Sequence, residues 1–450
     1  MKAALYAGAA ALALAANGAM AQELLFPVGE GEFNWDSFQE FSDGHDLSGQ
    51  SVTITGPWTG LDANLFESVL AYFEEATGAD VQYSGSDSFE QDFVIAAQAG
   101  SAADIAVFPQ PGLAADMARA GNLEPLPEGT SEWLAENYSA GESWVDLGTF
   151  AGADGEERLY GFPYKIDVKS LVWYVPENFE EAGYEVPETY EDLKALTEQI
   201  AEEGETPWCI GLGSGAATGW PATDWVEDLM LRVNPPEVYD QWVTNEIPFD
   251  DPQVIAAIEE FGFFAKNDDF VSGGASAVAS TDFRDSPSGL FEFPPECYLH
   301  HQATFIPTFF PEGTVVGEDV DFFYFPSTEA QGDEQPVLGA GTMFVLTEVN
   351  DVTTAFIEFL QTPIAHEIWM AQSGFLTPYT EANPAVFPSD EQRAMNDILT
   401  NATVFRFDGS DLMPGEIGAG AFWTAMVDYV TGADAEQVAG DVQQRWSQMR

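Results

Sequence analysis

Positive charge is scarce in this sequence of 450 residues. It has 13 Lys and Arg against 76 Asp and Glu, which gives a formal net charge of −63. A surface this acidic repels nucleic acids and anionic lipids, so the composition disfavours both as partners. The acidic residues are spread along the chain without a long block, which is typical of a solvated surface rather than a tail. A saline habitat would explain the composition, because salt screens the self-repulsion.

Residue patterns of common metal sites are also missing. The sequence has four histidines, and none belongs to a His-Glu-x-x-His motif. His300 and His301 are adjacent, so on a strand their side chains would point to opposite faces and could not chelate one ion together. The segment Asp408–Asp411 lacks the spacing of an EF-hand loop. The sequence therefore predicts no metal ion.

The Gly-rich segment Gly211–Gly219 is the nearest approach to a nucleotide-binding motif. It lacks the Lys-Ser/Thr ending of a P-loop, and Ala216 stands where a dinucleotide fingerprint has its third glycine. Ser214 does not lie in a Gly-x-Ser-x-Gly elbow. We interpret this segment as a loop between a strand and a helix. We predict no catalytic residue and no cofactor, and hence a protein that is not an enzyme.

A long apolar run occurs only at the N-terminus. Met1 and Lys2 precede an Ala/Leu-rich run over residues 3–16, and Ala19-Met20-Ala21 has the form of a cleavage site. This pattern predicts a secretory signal peptide over residues 1–21, cleaved near Ala21/Gln22. The run is too short for a membrane anchor, and no cysteine follows it that could carry a lipid. We expect a soluble protein of the periplasm.

Cysteine is rare as well, with Cys209 and Cys297 as the two copies. An even number of cysteines in an exported protein favours a disulfide. Two buried free thiols are the alternative.

Strands and helices alternate after a lead-in over residues 22–47 that shows little regular pattern. This alternation predicts a mostly parallel sheet covered by helices, and the chain length favours two domains. The predicted strands are 51–55, 80–83, 104–108, 170–175, 208–212 and 342–346. The predicted helices are 61–77, 89–99, 113–120, 189–203, 222–232, 252–264 and 352–360, with a largely helical segment over 391–450.

Aromatic residues make up 13% of the chain and include twelve tryptophans. Trp58, Trp220 and Trp423 lie at predicted turns before helices, next to polar residues. The apolar faces of sugar rings stack on such rings while their hydroxyls bind polar side chains, so this arrangement suits a sugar site. Core packing is the alternative role for each of them.

Two of the four lysines that follow the predicted signal peptide lie close together. Lys165 and Lys169 flank Asp167 just before an apolar strand. We predict that this cluster forms hydrogen bonds to a ligand. A structural ion pair with Asp167 or a neighbour is the alternative.

Several segments together resemble family 1 extracellular solute-binding proteins of the maltose-binding type, and they are most similar to the alpha-glucoside-binding members. These segments are 103–111, 160–174, 207–209, 217–228 and 418–423. The resemblance implies the α/β fold of type II periplasmic binding proteins, with two lobes and a ligand cleft between them. The implied N-terminal lobe comprises residues 48–165 and 340–378. The implied C-terminal lobe comprises residues 166–339 and 379–450 and contains both cysteines.

The resemblance also implies roles for individual residues. Trp423 would stack on sugar, and Trp220 and Asp224 match the alpha-glucoside motif. Four more residues would face the cleft, on turns that follow strands: Trp58, Asp87, Phe108 and Gln110. Lys165, Asp167 and Lys169 stand where the maltose binders have mostly apolar residues and a carboxylate, which leaves the identity of the sugar open.

By this resemblance the protein would be a monomer that captures an alpha-glucoside or related small oligosaccharide. It would deliver the sugar to the permease subunits of an inner-membrane ABC importer. The alternative is a secreted glycoside hydrolase, which would act on a small oligosaccharide with two facing carboxylates. A purely structural or adhesive secreted protein is the third possibility.

Overall fold

A computed structural model describes residues 24–449, except residues 140, 373 and 403 and the side chains of residues 400 and 401. The predicted signal peptide over residues 1–21 and its cleavage site lie outside the described residues. Among the described helices, none has both the length and the apolar character needed to cross a lipid bilayer.

The strands are β1 (Ser51–Gly56), β2 (Asp80–Gly85), β3 (Ile105–Phe108), β4 (Thr149–Ala151), β5 (Glu157–Leu159), β6 (Gly161–Val168), β7 (Leu171–Tyr174), β8 (His300–His301), β9 (Asp321–Tyr324), β10 (Pro336–Leu346) and β11 (Val404–Phe407).

The helices are α1 (Trp35–Gly44), α2 (Gly60–Thr77), α3 (Phe89–Ala99), α4 (Pro111–Arg119), α5 (Thr130–Asn137), α6 (Gly141–Gly148), α7 (Pro176–Ala182), α8 (Tyr190–Glu202), α9 (Trp220–Val233), α10 (Pro236–Val243), α11 (Pro252–Ala265), α12 (Asp351–Leu360), α13 (Pro363–Met370), α14 (Asp390–Asn401), α15 (Gly409–Leu412), α16 (Trp423–Val430) and α17 (Ala435–Gln448). A π-helical segment, Glu416–Phe422, runs directly into α16. Short 3-10 turns lie at Gly215–Ala217, Ala275–Ala277, Ser286–Phe291, Ile306–Phe309, Glu329–Gln331 and Pro384–Val386.

The main sheet has the strand order β11-β10-β3-β1-β2, and β6 pairs with β10 as well. Strand β1 is parallel to β2 and β3, as the alternating pattern predicts. Strand β10 is parallel to β11 but antiparallel to both β3 and β6, so three of the five described pairings in this sheet are parallel and two are antiparallel. Strands β8, β7 and β9 form a separate sheet in which both pairings are antiparallel. The predicted alternation of strands and helices would have given parallel pairings there.

Strands β6 and β10 form the centre of the molecule. Every residue of both strands is buried, so their two faces are covered by other elements. Their register pairs Lys165 with Thr342 and Val168 with Gly339. Ile166 also donates a backbone hydrogen bond to Leu376 at 2.9 Å. The structure therefore places side by side the segments near the boundaries of the implied lobes, at 165/166, 339/340 and 378/379.

Two local predictions are wrong. The lead-in contains helix α1, where Asn34 caps the first turn by accepting from the Ser37 amide at 3.2 Å, and Phe38 and Phe41 are buried. That helix spans ten residues and buries two side chains, so its helical period depends on few positions. The predicted strand 208–212 forms no continuous ladder, since Trp208 makes only isolated bridges to neighbouring segments.

The predicted disulfide between Cys209 and Cys297 is confirmed, with a Cα–Cα distance of 5.5 Å. The backbone holds the same segments together, because the Cys209 amide donates to the Leu299 carbonyl at 2.8 Å. His300 and His301 follow directly, and they do face opposite ways. The His300 ring contacts the Cys209 carbonyl at 2.8 Å, while the His301 ring contacts Asp228 at 3.1 Å.

Candidate functional site

A cavity of about 180 Å³ lies where the carboxyl ends of β1, β2 and β3 meet the middle of β6 and β10. Turns after parallel strands are a common place for ligands in α/β proteins, because several loops converge there. The opposite wall comes from the start of α9, from α15 and from Trp423, the first residue of α16. The cavity has room for a small organic molecule, since about 10–15 Å³ suffices for one water.

Nine of the ten sequence-predicted site residues line this cavity: Trp58, Asp87, Gln110, Lys165, Asp167, Lys169, Trp220, Asp224 and Trp423. Phe108 does not. It is 0% exposed and packs on Phe89 and Phe93, with ring centroids 5.1 and 4.8 Å away. Strand β3 is buried on both faces, so Phe108 still belongs to the core, and the chain reaches the cavity only beyond Pro109.

The alternation of side chains along a strand explains why the charged groups of Lys165 and Asp167 lie together. Lys165 and Asp167 are two residues apart on β6, so their side chains emerge on the same face. The Lys165 ammonium donates to both carboxylate oxygens of Asp167, at 2.6 and 2.7 Å. The Thr304 hydroxyl donates to Asp167 Oδ1 at 3.0 Å. The structural ion pair that the sequence left as an alternative is therefore present, and it also forms part of the cavity wall.

Lys169 lies just beyond the end of β6 and contacts two carboxylates. Its ammonium donates to Asp224 Oδ1 at 2.7 Å and to Asp408 Oδ2. It also lies 5.4 Å from the centroid of the Trp220 ring. Burial alone would lower the pKa of Lys169, but the charges of Asp224 and Asp408 raise it well above its ordinary value. Lys169 therefore stays positively charged inside the protein.

Helix α9 and the start of α15 bring more carboxyl groups to this cation. Asp224 and Glu227 are three residues apart and share one face of α9. Glu227 accepts backbone hydrogen bonds from Gly409 and Ser410 at 3.1 and 2.9 Å. Asp408 caps α15 and accepts from the Asp411 amide at 3.0 Å. Sequence reasoning considered the segment 408–411 only as a calcium loop and missed its role in the cavity wall.

The carboxyl groups of this wall differ in their pKa values. Burial raises the pKa of Asp224, Glu227 and Asp411 well above the ordinary range. For Asp408, burial works in the same direction but is outweighed by Lys169 and by hydrogen bonds, which hold its pKa below the ordinary value. Negative charge therefore concentrates on Asp408, one of the two carboxyl groups that Lys169 contacts.

Asp224, Glu227 and Asp408 each offer an oxygen, and these oxygens lie within 4.8 Å of one another. Such a cluster has the composition of a site for a hard cation. The Lys169 ammonium already contacts two of the three carboxyl groups, so the protein supplies a positive charge of its own there.

Some buried polar atoms in the cavity wall have no hydrogen-bond partner among the described residues. The unpartnered atoms are Asp62 Oδ1, Gln110 Oε1, Asp224 Oδ2, Thr342 Oγ1 and the indole nitrogen of Trp423. Gln110 uses its amide nitrogen on Glu90 at 3.0 Å, which leaves its carbonyl oxygen free. A buried polar atom without a partner costs about 1–3 kcal/mol. A ligand with several hydroxyl groups could satisfy these atoms at once.

Aromatic rings form the rest of the wall. Trp220 packs edge-on against Phe283, at 4.8 Å between ring centroids. Trp423 is 4% exposed, and its neighbour Phe422 belongs to the core. Trp58 packs on Phe66, with 4.8 Å between ring centroids, and also lines the cavity, so it belongs both to the core and to the cavity wall.

Sequence reasoning missed several wall residues, among them Asp62, Glu90, Arg284, Thr342 and Asp411. Asp62 lies in the first turn of α2, close to the turn that carries Trp58, so the same strand-to-helix pattern could have indicated it. The other acidic residues are hidden among the 76 Asp and Glu of the chain.

The family described as bacterial extracellular solute-binding protein matches residues 59–367. The chain is 62% identical to the alpha-glucosides-binding periplasmic protein AglE of Rhizobium meliloti, over all of both chains. It is 42% identical to the osmoprotective compounds-binding protein GgtB of Synechocystis, over 89% of this chain and 93% of that one.

Solved structures confirm the fold. The bacterial solute receptor AcbH, described as having an exclusive preference for β-D-galactopyranose, superposes with a TM-score of 0.76 and 17% identity, over 89% of this chain and 99% of that one. The sequence prediction of a type II periplasmic binding protein fold is therefore correct. Together, these matches show that the chain belongs to the family of bacterial extracellular solute-binding proteins.

Proposed function

We propose that this protein captures a neutral sugar of the alpha-glucoside class in the cavity and hands it to the permease of an ABC importer. The observation that carries the proposal is the set of five buried polar atoms without partners, next to the aromatic wall. A sugar supplies hydroxyls for such atoms and apolar ring faces for tryptophan. Membership of the solute-binding family makes the chain a binding protein and not an enzyme, which removes the hydrolase alternative.

The relatives narrow the class of ligand. One is named for binding alpha-glucosides and the other for binding osmoprotective compounds. Trehalose, sucrose, maltose and glucosylglycerol-type solutes all belong to the ligands to be tested.

Eight of the nine predicted residues that line the cavity have a proposed role in this site. Trp423 stacks on a sugar ring and donates from its indole nitrogen, while Asp224 and Gln110 accept from sugar hydroxyls. Trp220 closes the side of the cavity next to Lys169. The remaining residues form the boundary of the site: Trp58, Asp87, Lys165 and Asp167.

We propose further that residues 48–165 with 340–378 and residues 166–339 with 379–450 move as two lobes. The pairing of β6 with β10 at the proposed boundary supports a hinge there, where Asp167 pairs with Ala340. Contacts between the proposed lobes include the Gly415 amide, which donates to Asp116 at 3.1 Å. Closure around a ligand is a common motion of such proteins.

Location and assembly complete the proposal. The family is extracellular or periplasmic, and we place this member in the periplasm after cleavage near Ala21/Gln22. We propose that it acts there as a monomer.

The test is a titration of the purified mature protein with a panel of alpha-glucosides, polyols and sugar acids. Calorimetry and tryptophan fluorescence would follow binding, and chromatography would detect products. We expect saturable binding of one or more alpha-glucosides without product. Binding of none of them, or release of monosaccharide, would contradict the proposal. An Asp251→Asn variant, changed at a half-buried helix cap outside the cavity, serves as the control.

A further inference from the structure

We propose that Lys169 is a positioning residue: its ammonium acts as a built-in cation that fixes Asp224 so that Asp224 Oδ2 is presented to the ligand. This inference rests on the proposed function, because it concerns how the same cavity is prepared for a sugar. It differs from the sequence-based prediction, in which Lys169 itself forms hydrogen bonds to the ligand.

The contacts of Lys169 support an indirect role. An ammonium has three N–H donors, and two of them are used on Asp224 Oδ1 and Asp408 Oδ2. The remaining side of the ammonium faces the ring of Trp220. The group with free hydrogen-bonding capacity is instead Asp224, which is 3% exposed and whose Oδ2 has no partner among the described residues.

Lys169 supplies the hydrogen bond that holds Asp224 in this orientation. The other members of the cluster, Glu227 and Asp408, are carboxyl groups as well, and all of them are buried. Asp408 has the lowered pKa of the three, so it carries the negative charge that pairs with the Lys169 ammonium. Asp408 in turn is fixed by Ser410, whose hydroxyl donates to its Oδ1 at 2.8 Å. Lys169 therefore connects Asp224 to a carboxylate that is itself anchored.

The same geometry predicts that a metal ion could replace the ammonium. Calcium binds carboxylate oxygens at about 2.3–2.6 Å, and the Lys169–Asp224 distance is 2.7 Å. A methionine side chain extends only as far as the last methylene of lysine. Lys169→Met thus removes the charged group, leaves the stem, and opens a space among three carboxyl groups.

The experiment measures the affinity of Lys169→Met for the best alpha-glucoside of the wild-type panel, with EDTA and with about 5 mM calcium, a concentration suited to weak sites. In EDTA we expect a loss of roughly thirtyfold or more, as when one partner of a buried charge pair is removed. Calcium should restore most of this loss, and magnesium less, because magnesium demands stricter geometry.

Lys165→Met is the matched control. Lys165 is equally buried and lines the same cavity, but it pairs with the single carboxylate of Asp167. It should lose affinity without recovery in calcium. Equal recovery of both variants, or no recovery of Lys169→Met, would overturn the proposal, as would a wild-type affinity that depends on calcium.

A second variant covers the case in which Lys169→Met does not fold. Asp224→Asn keeps the shape of the side chain and the pair of Lys169 with Asp408. It should weaken ligand binding as strongly as Lys169→Met, and calcium should not restore it. Wild-type affinity in Asp224→Asn would overturn the proposal. The wild-type titration in the same series reports separately on the proposed function, since a wild type that binds no sugar contradicts that function and not the arrangement of the cluster.

Discussion

Asp87 and Arg284 form an ion pair between segments 197 residues apart, with 2.6 Å between Asp87 Oδ1 and Arg284 Nη2. Asp87 follows β2, whereas Arg284 lies next to the segment that pairs with Gly213. The Thr59 hydroxyl donates to the same carboxylate oxygen at 2.9 Å. The pair therefore links the two proposed lobes at the cavity wall.

We expect Asp87→Asn to weaken ligand binding modestly, because the pair stabilises the closed arrangement. Both side chains are partly exposed, so the effect should be about 0.2–1 kcal/mol, or up to roughly fivefold in Kd. Calorimetry would measure the affinity, and small-angle scattering of the unliganded protein should show a more open average shape. Added salt screens the ion pair, so it should lower the ligand affinity of the wild type toward that of the variant.

The exposed pair of Arg158 with Asp154 gives the control, because both residues belong to one short segment. Asp154→Asn should leave the affinity unchanged. If Asp87→Asn binds as the wild type does and scatters identically, the ion pair has no part in closure.

Trp423→Ala should lower ligand affinity by about 1–3 kcal/mol, in the range found when aromatic residues at binding sites are truncated. Trp423→Phe should recover part of the loss, because it keeps a ring face but removes the unpartnered indole N–H. Calorimetric titration with one alpha-glucoside measures both. Trp133→Ala, which removes a ring that packs on Phe162 outside the cavity, is the control. Unchanged affinity in Trp423→Ala would exclude stacking by this residue.

The sequence predicts the first half of the main sheet and most of the site because both depend on local signals. Strands β1 to β3 and their helices follow from periodic apolar residues, and Trp58 and Gln110 lie on the turns that such strands create. The pairing of β10 with β6 and β3 is not local. The pairing joins residues more than 150 positions apart. The spacing of apolar residues within a strand does not indicate whether that strand pairs in a parallel or an antiparallel direction.

The missed parts of the site have a similar cause. Asp408 and Asp411 reach the cavity only because Glu227 and Lys169 hold the start of α15 there. In a chain this acidic, composition does not distinguish a carboxyl group in a wall from one in solvent. Phe108 was wrongly placed for the opposite reason, since a residue at the end of a strand can face the core as readily as a ligand.

Ligand affinity should fall as the pH drops below about 6. Burial raises the pKa of Asp62 to about 6, and the nearby Lys165 and Arg284 oppose that rise while Asp167 adds to it. A sugar hydroxyl that donates to Asp62 favours the ionised carboxylate, so binding lowers the pKa of Asp62 and releases a proton in this range. The affinity should be flat above pH 7 and should decline by at most about tenfold per pH unit below 6.

Calorimetry in buffers of different ionisation heat would detect the released proton near pH 6. Asp62→Asn should bind more weakly at neutral pH and should lose this component of the pH dependence. An affinity that rises on acidification would show that the neutral carboxylic acid, acting as a donor, is the form that binds the ligand.

Loss of the Cys209–Cys297 disulfide should destabilise the protein without changing its ligand affinity. The cysteines are 88 residues apart, and closing a loop of that length contributes up to roughly 4–5 kcal/mol by restricting the unfolded chain. The measured loss should be smaller, because an unfolded chain that retains structure has less entropy for the bridge to restrict. Neither cysteine lines the cavity, so a double alanine variant should keep its Kd within about twofold.

Urea unfolding should show a lower midpoint for this variant, and dithiothreitol should lower the midpoint of the wild type but not that of the variant. Equal midpoints for both proteins would mean that the bridge adds nothing to stability, and a large loss of affinity would mean that the bridge also shapes the cavity.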